Sequence, residues 1–497
     1  MSKYSNLLVS FLFFIILTSS KPDKEYNNEA YRPQFHFSPD KNLMMEPGGL
    51  VYIEGEYHMF YQYSPSLNTP ESLHWGHAVS ADLVHWNHLP IAISPVQNSD
   101  GEECPVNSGC IIIDENNVLS LEKGNTKTMA AFYSSMGCGV NISYSNDNGN
   151  NWERFGDKPI LQFNDAEEAS GPKVFWHGES GKWVMLLSRI PDNNERLKGI
   201  SFYNSENLID WEYVSNFPVL SGSPDLIKFN VDNRQNETKW VLFGGDGSYF
   251  IGSFDGKTFK TETPKLKNDF GKSFNGAKTW VNLSGNDERV LQLAMLQGGE
   301  FPGMPFNGQM NFPCELSIKT FSNGVHLLRN PVKEIKLLHG KQSTWHNKNI
   351  IPGINDNILK SVKGDCLHLI CTFDIKTSDN FGIMVRHSKK NVGTEILYIV
   401  KREVLSCLGS IVPVQINDNK LKLEILIDRS SIEIFANDGN KVISSSFTPI
   451  EESLGLEIFT NGGELLVDQL DIYEMNSSWR EEKKKMSMPF AKGNKEK

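Results

Sequence analysis

Along most of this chain apolar and polar residues alternate with period two, in short runs broken by Gly, Asn or Asp. Val51-Tyr52-Ile53 and Tyr57-His58-Met59-Phe60-Tyr61, on either side of Glu54-Gly55, are rich in β-branched and aromatic residues and predict a hairpin. No long stretch carries apolar residues at the three-to-four spacing of an amphipathic helix. The pattern predicts an all-β chain.

A loose repeat refines that expectation. Ser80-Ala81-Asp82-Leu83-Val84-His85-Trp86 returns as Ser145-Asn146-Asp147-Asn148-Gly149-Asn150-Asn151-Trp152 and as Ser205-Glu206-Asn207-Leu208-Ile209-Asp210-Trp211. A fourth copy is Ser253-Phe254-Asp255-Gly256-Lys257-Thr258-Phe259. Each reads as a turn leaving one strand, with an aromatic residue opening the next. Spacings of roughly 50–65 residues suit the four-stranded blades of a β-propeller.

The pattern changes near residue 340. Leu337 to Thr344 reads as a linker, and about eight short strands follow, from Cys366–Ile375 to Leu465–Tyr473, as a β-sandwich requires. The end, Arg480 to Lys497, is polar and charge-dense and is expected to be disordered. At the start, Lys3 precedes an apolar run from Leu7 to Leu17 and the small residues Thr18-Ser19-Ser20. That is the form of a secretory signal peptide over residues 1–20, and the run is short of the roughly 20 residues that span a bilayer.

Composition narrows the partners. The 497 residues carry a formal net charge of −11, with no basic patch in the part expected to fold, which argues against nucleic acid. The seven cysteines are sparse, Cys104 with Cys110 is the expected disulfide, and no spacing suggests zinc. Four Asn-x-Ser/Thr sequons, at Asn141, Asn236, Asn282 and Asn476, fit a glycosylated secreted product.

The stretch from Lys41 to Leu50 reads as an apolar run ending in a turn at Pro47-Gly48-Gly49, with one carboxylate, Glu46, between the methionines and Pro47. Together with Arg32-Pro33-Gln34-Phe35-His36-Phe37-Ser38-Pro39 and Phe60-Tyr61-Gln62-Tyr63-Ser64-Pro65, it resembles the start of glycoside hydrolase family 32, the invertases, inulinases and levanases. Phe306 to Leu316 is similar to the exo-acting levanase and inulinase branch, and Asp428-Arg429-Ser430-Ser431-Ile432-Glu433 to that family's sandwich signature. The resemblance runs from about residue 31 to 479. It implies a five-bladed β-propeller over 31–336, a C-terminal β-sandwich over 345–479, chemistry by carboxylates alone with no cofactor or metal, and a fructose-containing sugar as partner.

The same resemblance shows an altered site. The family motif Trp-Met-Asn-Asp-Pro-Asn-Gly reads Leu43-Met44-Met45-Glu46-Pro47-Gly48-Gly49 here, so Glu46 stands at the nucleophile's position with an extra methylene. A misplacement of about 1 Å can cost on the order of 100-fold in rate. Glu-Cys-Pro-Asp-Leu, which supplies the acid/base, reads Gly222-Ser223-Pro224-Asp225-Leu226, and Gly222 cannot move a proton. Arg-Asp-Pro, which supplies a third carboxylate, reads Ser170-Gly171-Pro172, with Gly171 at the Asp position. Asp-Tyr-Gly-x-Asp-Phe-Tyr-Ala reads Asp269 to Gly276, with Ser273 for the second Asp and Asn275 for the Tyr, and a pocket indole appears as Met295. Gln62 matches a sugar-contacting glutamine, Trp75 a family tryptophan and Ser108 the serine of Phe-Ser-Gly-Ser, and the three are the candidate substrate-binding residues. Glu102, Glu103, Glu167 and Glu168 are the candidates for a substitute acid.

Three readings follow: a secreted β-fructosidase homologue impaired in catalysis and binding sucrose- or fructan-type sugars; an active β-fructofuranosidase or exo-fructanase with a relocated acid; and a protein-interaction propeller with no sugar site. Retaining hydrolysis needs two carboxyl groups about 5–5.5 Å apart. A second acid beside Glu46 therefore favours the enzyme, and a pocket filled by Met45 and Met295 favours the interaction module.

Overall fold

A computed structural model describes residues 27–479 except 99–100, 164–166, 192–197, 221, 284–286, 354–356, 389–392 and 450–452. The signal-peptide segment 1–20 and the tail 480–497 lie outside the described residues. The described chain is a five-bladed β-propeller followed by a β-sandwich.

Each blade is an antiparallel sheet meandering outward from the propeller axis. Blade 1 is Asn42–Ile53, Glu56–Ser64, His74–Ser80 and Asn87–Ile93, paired in that order. Blades 2, 3, 4 and 5 begin with Gly109–Asp114, Glu167–His177, Asp225–Val231 and Phe274–Thr279. Around the centre the first strands of blades 5, 1, 2 and 3 contact one another in turn, as do those of blades 4 and 5. The ring closes where Phe306–Asn307 pairs in parallel with Asn42 and Leu43, and where Tyr52 N–H donates to the Val281 carbonyl at 3.0 Å.

The four repeated turns fall at one place, after the third strand of blades 1 to 4. Asp82, Asp147, Asn207 and Asp255 accept backbone N–H groups of their own turns. Leu83, Gly149, Leu208 and Gly256 take positive φ, between 66° and 89°. Trp86, Trp152 and Trp211 each donate Nε1–H to the carbonyl three residues back, at 2.9–3.1 Å. An acceptor side chain satisfies the turn's amides while the indole fastens the outer strand to it.

The sandwich packs a six-stranded sheet, from His339–Ile350 to Lys441–Ser446, on a five-stranded sheet, from Ser410–Pro413 to Gly455–Asn461. Leu369, Phe373, Ile383, Tyr398, Ile425 and Ile434 lie in its buried core. The segment read as a linker is structured: Lys333–Leu338 is a 3-10 helix and His339–Ile350 an edge strand pairing with Leu465–Met475. Its outward positions are polar because an edge strand faces water, and that polarity hid it.

Two further expectations are corrected. The disulfide joins Cys104 to Cys138, across 34 residues, and Cys110 is a free buried thiol whose Sγ accepts Val174 N–H. Asn141 is buried and its Nδ2 donates to the Cys138 carbonyl at 3.1 Å, so this sequon is unavailable to a glycan.

Propeller and sandwich meet through a buried charged network. His36 bonds Asp428 through Nδ1 at 2.9 Å and Glu433 through Nε2 at 2.8 Å, with all three side chains fully buried. Burial alone would depress the imidazole, but the two carboxylates outweigh it and hold His36 up to about 9. Glu433 also accepts Phe312 N–H at 2.9 Å and pairs with Arg329, which bonds Asp269.

Candidate active site

Glu46 lies inside a strand rather than a turn. Asn42–Ile53 runs through the Pro47-Gly48-Gly49 segment unbroken, with register shifts between Met44 and Pro47 and between Pro47 and Gly49. Proline cannot donate to the ladder, so the strand bulges there and re-aims its side chains. Gly48 and Gly49 allow close packing: a Cβ at Gly48 would lie 2.5 Å from the Trp75 ring, and one at Gly49 2.7 Å from Ile111.

Both carboxylate oxygens of Glu46 are held by neutral donors. Ser223 Oγ donates to Oε2 at 2.9 Å, and Asn275 Nδ2 to Oε1 at 3.0 Å. Ser108 Oγ lies 3.1 Å from Ser223 Oγ and extends the chain. In the sequence Ser223 and Asn275 stand only as parts of altered motifs, with nothing to mark them as donors to Glu46. The available signal was only a hydroxyl at the Cys position of one motif and an amide at the Tyr position of the other.

The longer side chain of Glu46 has a matching void. A Cβ at Gly276 would lie 2.3 Å from Glu46 Cγ and 2.5 Å from Cδ. The resembled frame has Ala at this position and Asp at position 46; here Gly276 leaves free the space that the Glu46 side chain occupies. Gly276 also takes φ of 65°.

Above Glu46 opens a cleft of about 560 Å³, within the range of small-molecule sites. Gln62 and Ser108 line it, together with Glu46, Ser223 and Gly222. Trp75 does not: it is fully buried among core residues, and its Nε1–H donates to the Asn107 carbonyl at 2.8 Å. It supports the cleft wall from behind. Met295 is likewise packed in a core cluster, and Met45 lines the cleft without filling it.

The two glycines at acid positions are both left-handed, but their surroundings differ. Gly171 has φ of 63°, and a Cβ there would lie 2.9 Å from Ser223 Cα. Gly222 has φ of 83°, and a Cβ there would meet nothing nearer than 3.6 Å. Among the candidate substitutes, Glu103 lines the cleft and Glu102 bonds Asn98. Glu167 and Glu168 are strand residues whose side chains lie outside the description.

Beneath the floor, Asp225 is fully buried, ion-pairs with Lys173 at 2.8 Å and accepts both the Thr279 amide and hydroxyl. Lys278 lies beside it, and burial pushes its amine down from the usual lysine range. Among the described residues the Lys278 Nζ has no hydrogen-bond partner. Asp225 is thus committed to structure below the cleft. The described residues contain no cluster of three or more His, Cys, Asp or Glu arranged to hold a metal.

Comparisons with known proteins agree with this architecture. Residues 36–331 match the family description "Glycosyl hydrolases family 32 N-terminal domain" and residues 334–474 "Glycosyl hydrolases family 32 C terminal". A levanase of Bacillus subtilis (strain 168) is 34% identical over 520 residues, covering 95% of this chain and 75% of that protein. An extracellular exo-inulinase of Aspergillus awamori is 27% identical, covering 91% of this chain and 96% of that protein. The crystal structure of exo-inulinase from Aspergillus awamori superposes with a TM-score of 0.80 at 26% identity, covering 91% of this chain and all of that one.

Proposed function

The chain belongs to glycosyl hydrolase family 32, and from that premise we propose that it is an extracellular fructoside-binding protein whose hydrolytic power is severely reduced. One observation carries the reading. Glu46 is held by two donors at the floor of an open cleft, while the positions of its two carboxylate partners are glycines.

The chemistry supports binding without efficient cleavage. A fructoside's hydroxyls can donate to Glu46 and exchange bonds with Gln62 and Ser108 in the cleft. Loss of general acid–base work alone costs roughly 100- to 10,000-fold. An open cleft also argues against a propeller kept only for protein contacts.

A second reading rests on Glu103, which lines the same cleft and is bonded in sequence to Cys104, itself held by the disulfide. In that case Glu103 is the relocated acid of an active fructosidase. Fructose release from sucrose, inulin and levan, measured beside calorimetric binding of the same sugars, separates the two. Binding with release at most a thousandth of that of an active fructosidase is expected. Efficient release that Glu103→Gln abolishes would establish the second reading, and absence of both binding and release would sink both.

A further inference from the structure

The cleft above Glu46 is two-faced, and its apolar face has no role in holding a sugar hydroxyl. Its floor presents Glu46, Gln62, Ser108 and Ser223. Its mouth presents Met45, Pro70, Leu73, Pro105 and Met136, with the exposed carboxylate of Glu103 two residues before Pro105. Met136 is 70% exposed, in the tight turn between Thr128–Ser135 and Gly139–Ser145, where no core contact requires a large apolar side chain. An unbranched thioether at such a place is an adaptable contact surface for an apolar ligand.

That mouth is also built to stay in place. The Cys104–Cys138 disulfide ties the segment bearing Pro105 to the turn bearing Met136. Val106 N–H donates to the Leu73 carbonyl at 2.8 Å, and Asn107 N–H to the Ser134 carbonyl at 3.0 Å. The three apolar rim segments are therefore fastened to one another before any ligand arrives, which lowers the entropy lost on binding. Among the described residues no lysine or arginine lines the cleft, so nothing described at the mouth calls for an anionic group.

From this division we propose that the preferred ligand is an amphiphilic fructoside, a fructosyl group on the floor carrying an alkyl or aryl substituent that lies against Met136, Pro105 and Leu73. The inference rests on the fructoside-binding reading and adds the class of the non-sugar part. Met136 is a specificity-determining residue in it, with no part in holding the sugar.

Calorimetric titration with methyl and butyl β-D-fructofuranoside tests it. Each methylene fully buried is worth about fourfold in affinity, and a half-open mouth buries part of a butyl chain. Butyl is expected to bind on the order of tenfold tighter than methyl, with a more negative heat-capacity change. Met136→Ser, at an exposed turn position, is expected to reduce that ratio to about twofold and leave the methyl glycoside's affinity unchanged. Equal affinities for the two glycosides, or a ratio untouched by Met136→Ser, would overturn the proposal while the fructoside-binding reading stands. Failure of methyl and butyl glycosides alike would overturn both.

Discussion

The interface between propeller and sandwich and the floor of the cleft use the same residue types in opposite ways. At the interface, His36, Asp428, Glu433, Arg329 and Asp269 are all buried, and each is paired with an opposite charge. At the cleft floor, Glu46 is held by neutral donors, and the positions beside it that hold acids in the family frame are bare backbone. Charges that hold a fold must be matched, since an unpaired buried charge is costly. Charges that react must be poised by groups beside them, and on the proposed reading the two glycines remove those groups here.

The sharpest way to break the comparison is to unmatch the interface. Glu433→Leu leaves His36 and Arg329 buried without a shared counter-charge, and it is expected to cost about 3–5 kcal/mol in chemical denaturation. A loss below about 1 kcal/mol would mean that the network is dispensable and the contrast false.

The same network sets a pH dependence. His36 is raised from 6.5 to about 9, so its contribution is full below pH 6.5 and is lost as pH rises through 9. That shift corresponds to about 3 kcal/mol. Burial would raise Asp428 and Glu433, but bonding to His36 outweighs it and holds both below their usual range. Their contribution is present above the ordinary carboxylate range and lost as pH falls below it. Stability against denaturant is therefore expected to peak in mildly acidic solution, and His36→Asn to flatten the alkaline limb. An alkaline limb unchanged in that variant would exclude His36 as its cause.

Restoring side chains at the cleft sharpens the other half. Gly222→Glu places a Cβ in open space at a left-handed residue, so only backbone strain opposes it, about 1 kcal/mol. Gly171→Asp adds a collision with Ser223 Cα to the same strain, about 2–3 kcal/mol in all. Melting temperatures should rank wild type above Gly222→Glu above Gly171→Asp. The reverse order would show that the left-handed turn at Gly171 relaxes freely.

Much of this was legible in the sequence where a local rule has a local cause. The four turns recurred because each needs an acceptor two residues past a Ser and a left-handed residue after it, and those demands act on the turn alone. The His339–Ile350 strand was hidden because its exposed face reads like a linker. The Cys104–Cys138 pair and the donors Ser223 and Asn275 were hidden because their partners come from distant blades or hairpins. Trp75 matched a motif but faces the core, a matter of which way one strand points.

The smallest expected effect bears on whether the cleft has decayed or been rebuilt. If Glu46 were merely tolerated, nothing opposite it need have changed. Instead Gly276 supplies the space that the Glu46 side chain occupies, with its Cγ 2.3 Å from where a Cβ would stand. Gly276→Ala should therefore suffer both left-handed strain and collision with Glu46 Cβ, Cγ and Cδ. In a Glu46→Asp background the Cδ contact is gone and the shorter side chain can turn away, so part of the collision is relieved and the strain remains. The cycle of single and double variants, read by denaturation, is expected to show a coupling of about 1 kcal/mol in favour of the Asp–Ala pair. Additivity within about 0.3 kcal/mol would mean that the two positions are independent and that Gly276 reflects the backbone only. Coupling would mean that the floor was refitted around a longer carboxylate, so that a site whose two family acid positions are glycines is still shaped to hold one acid in place.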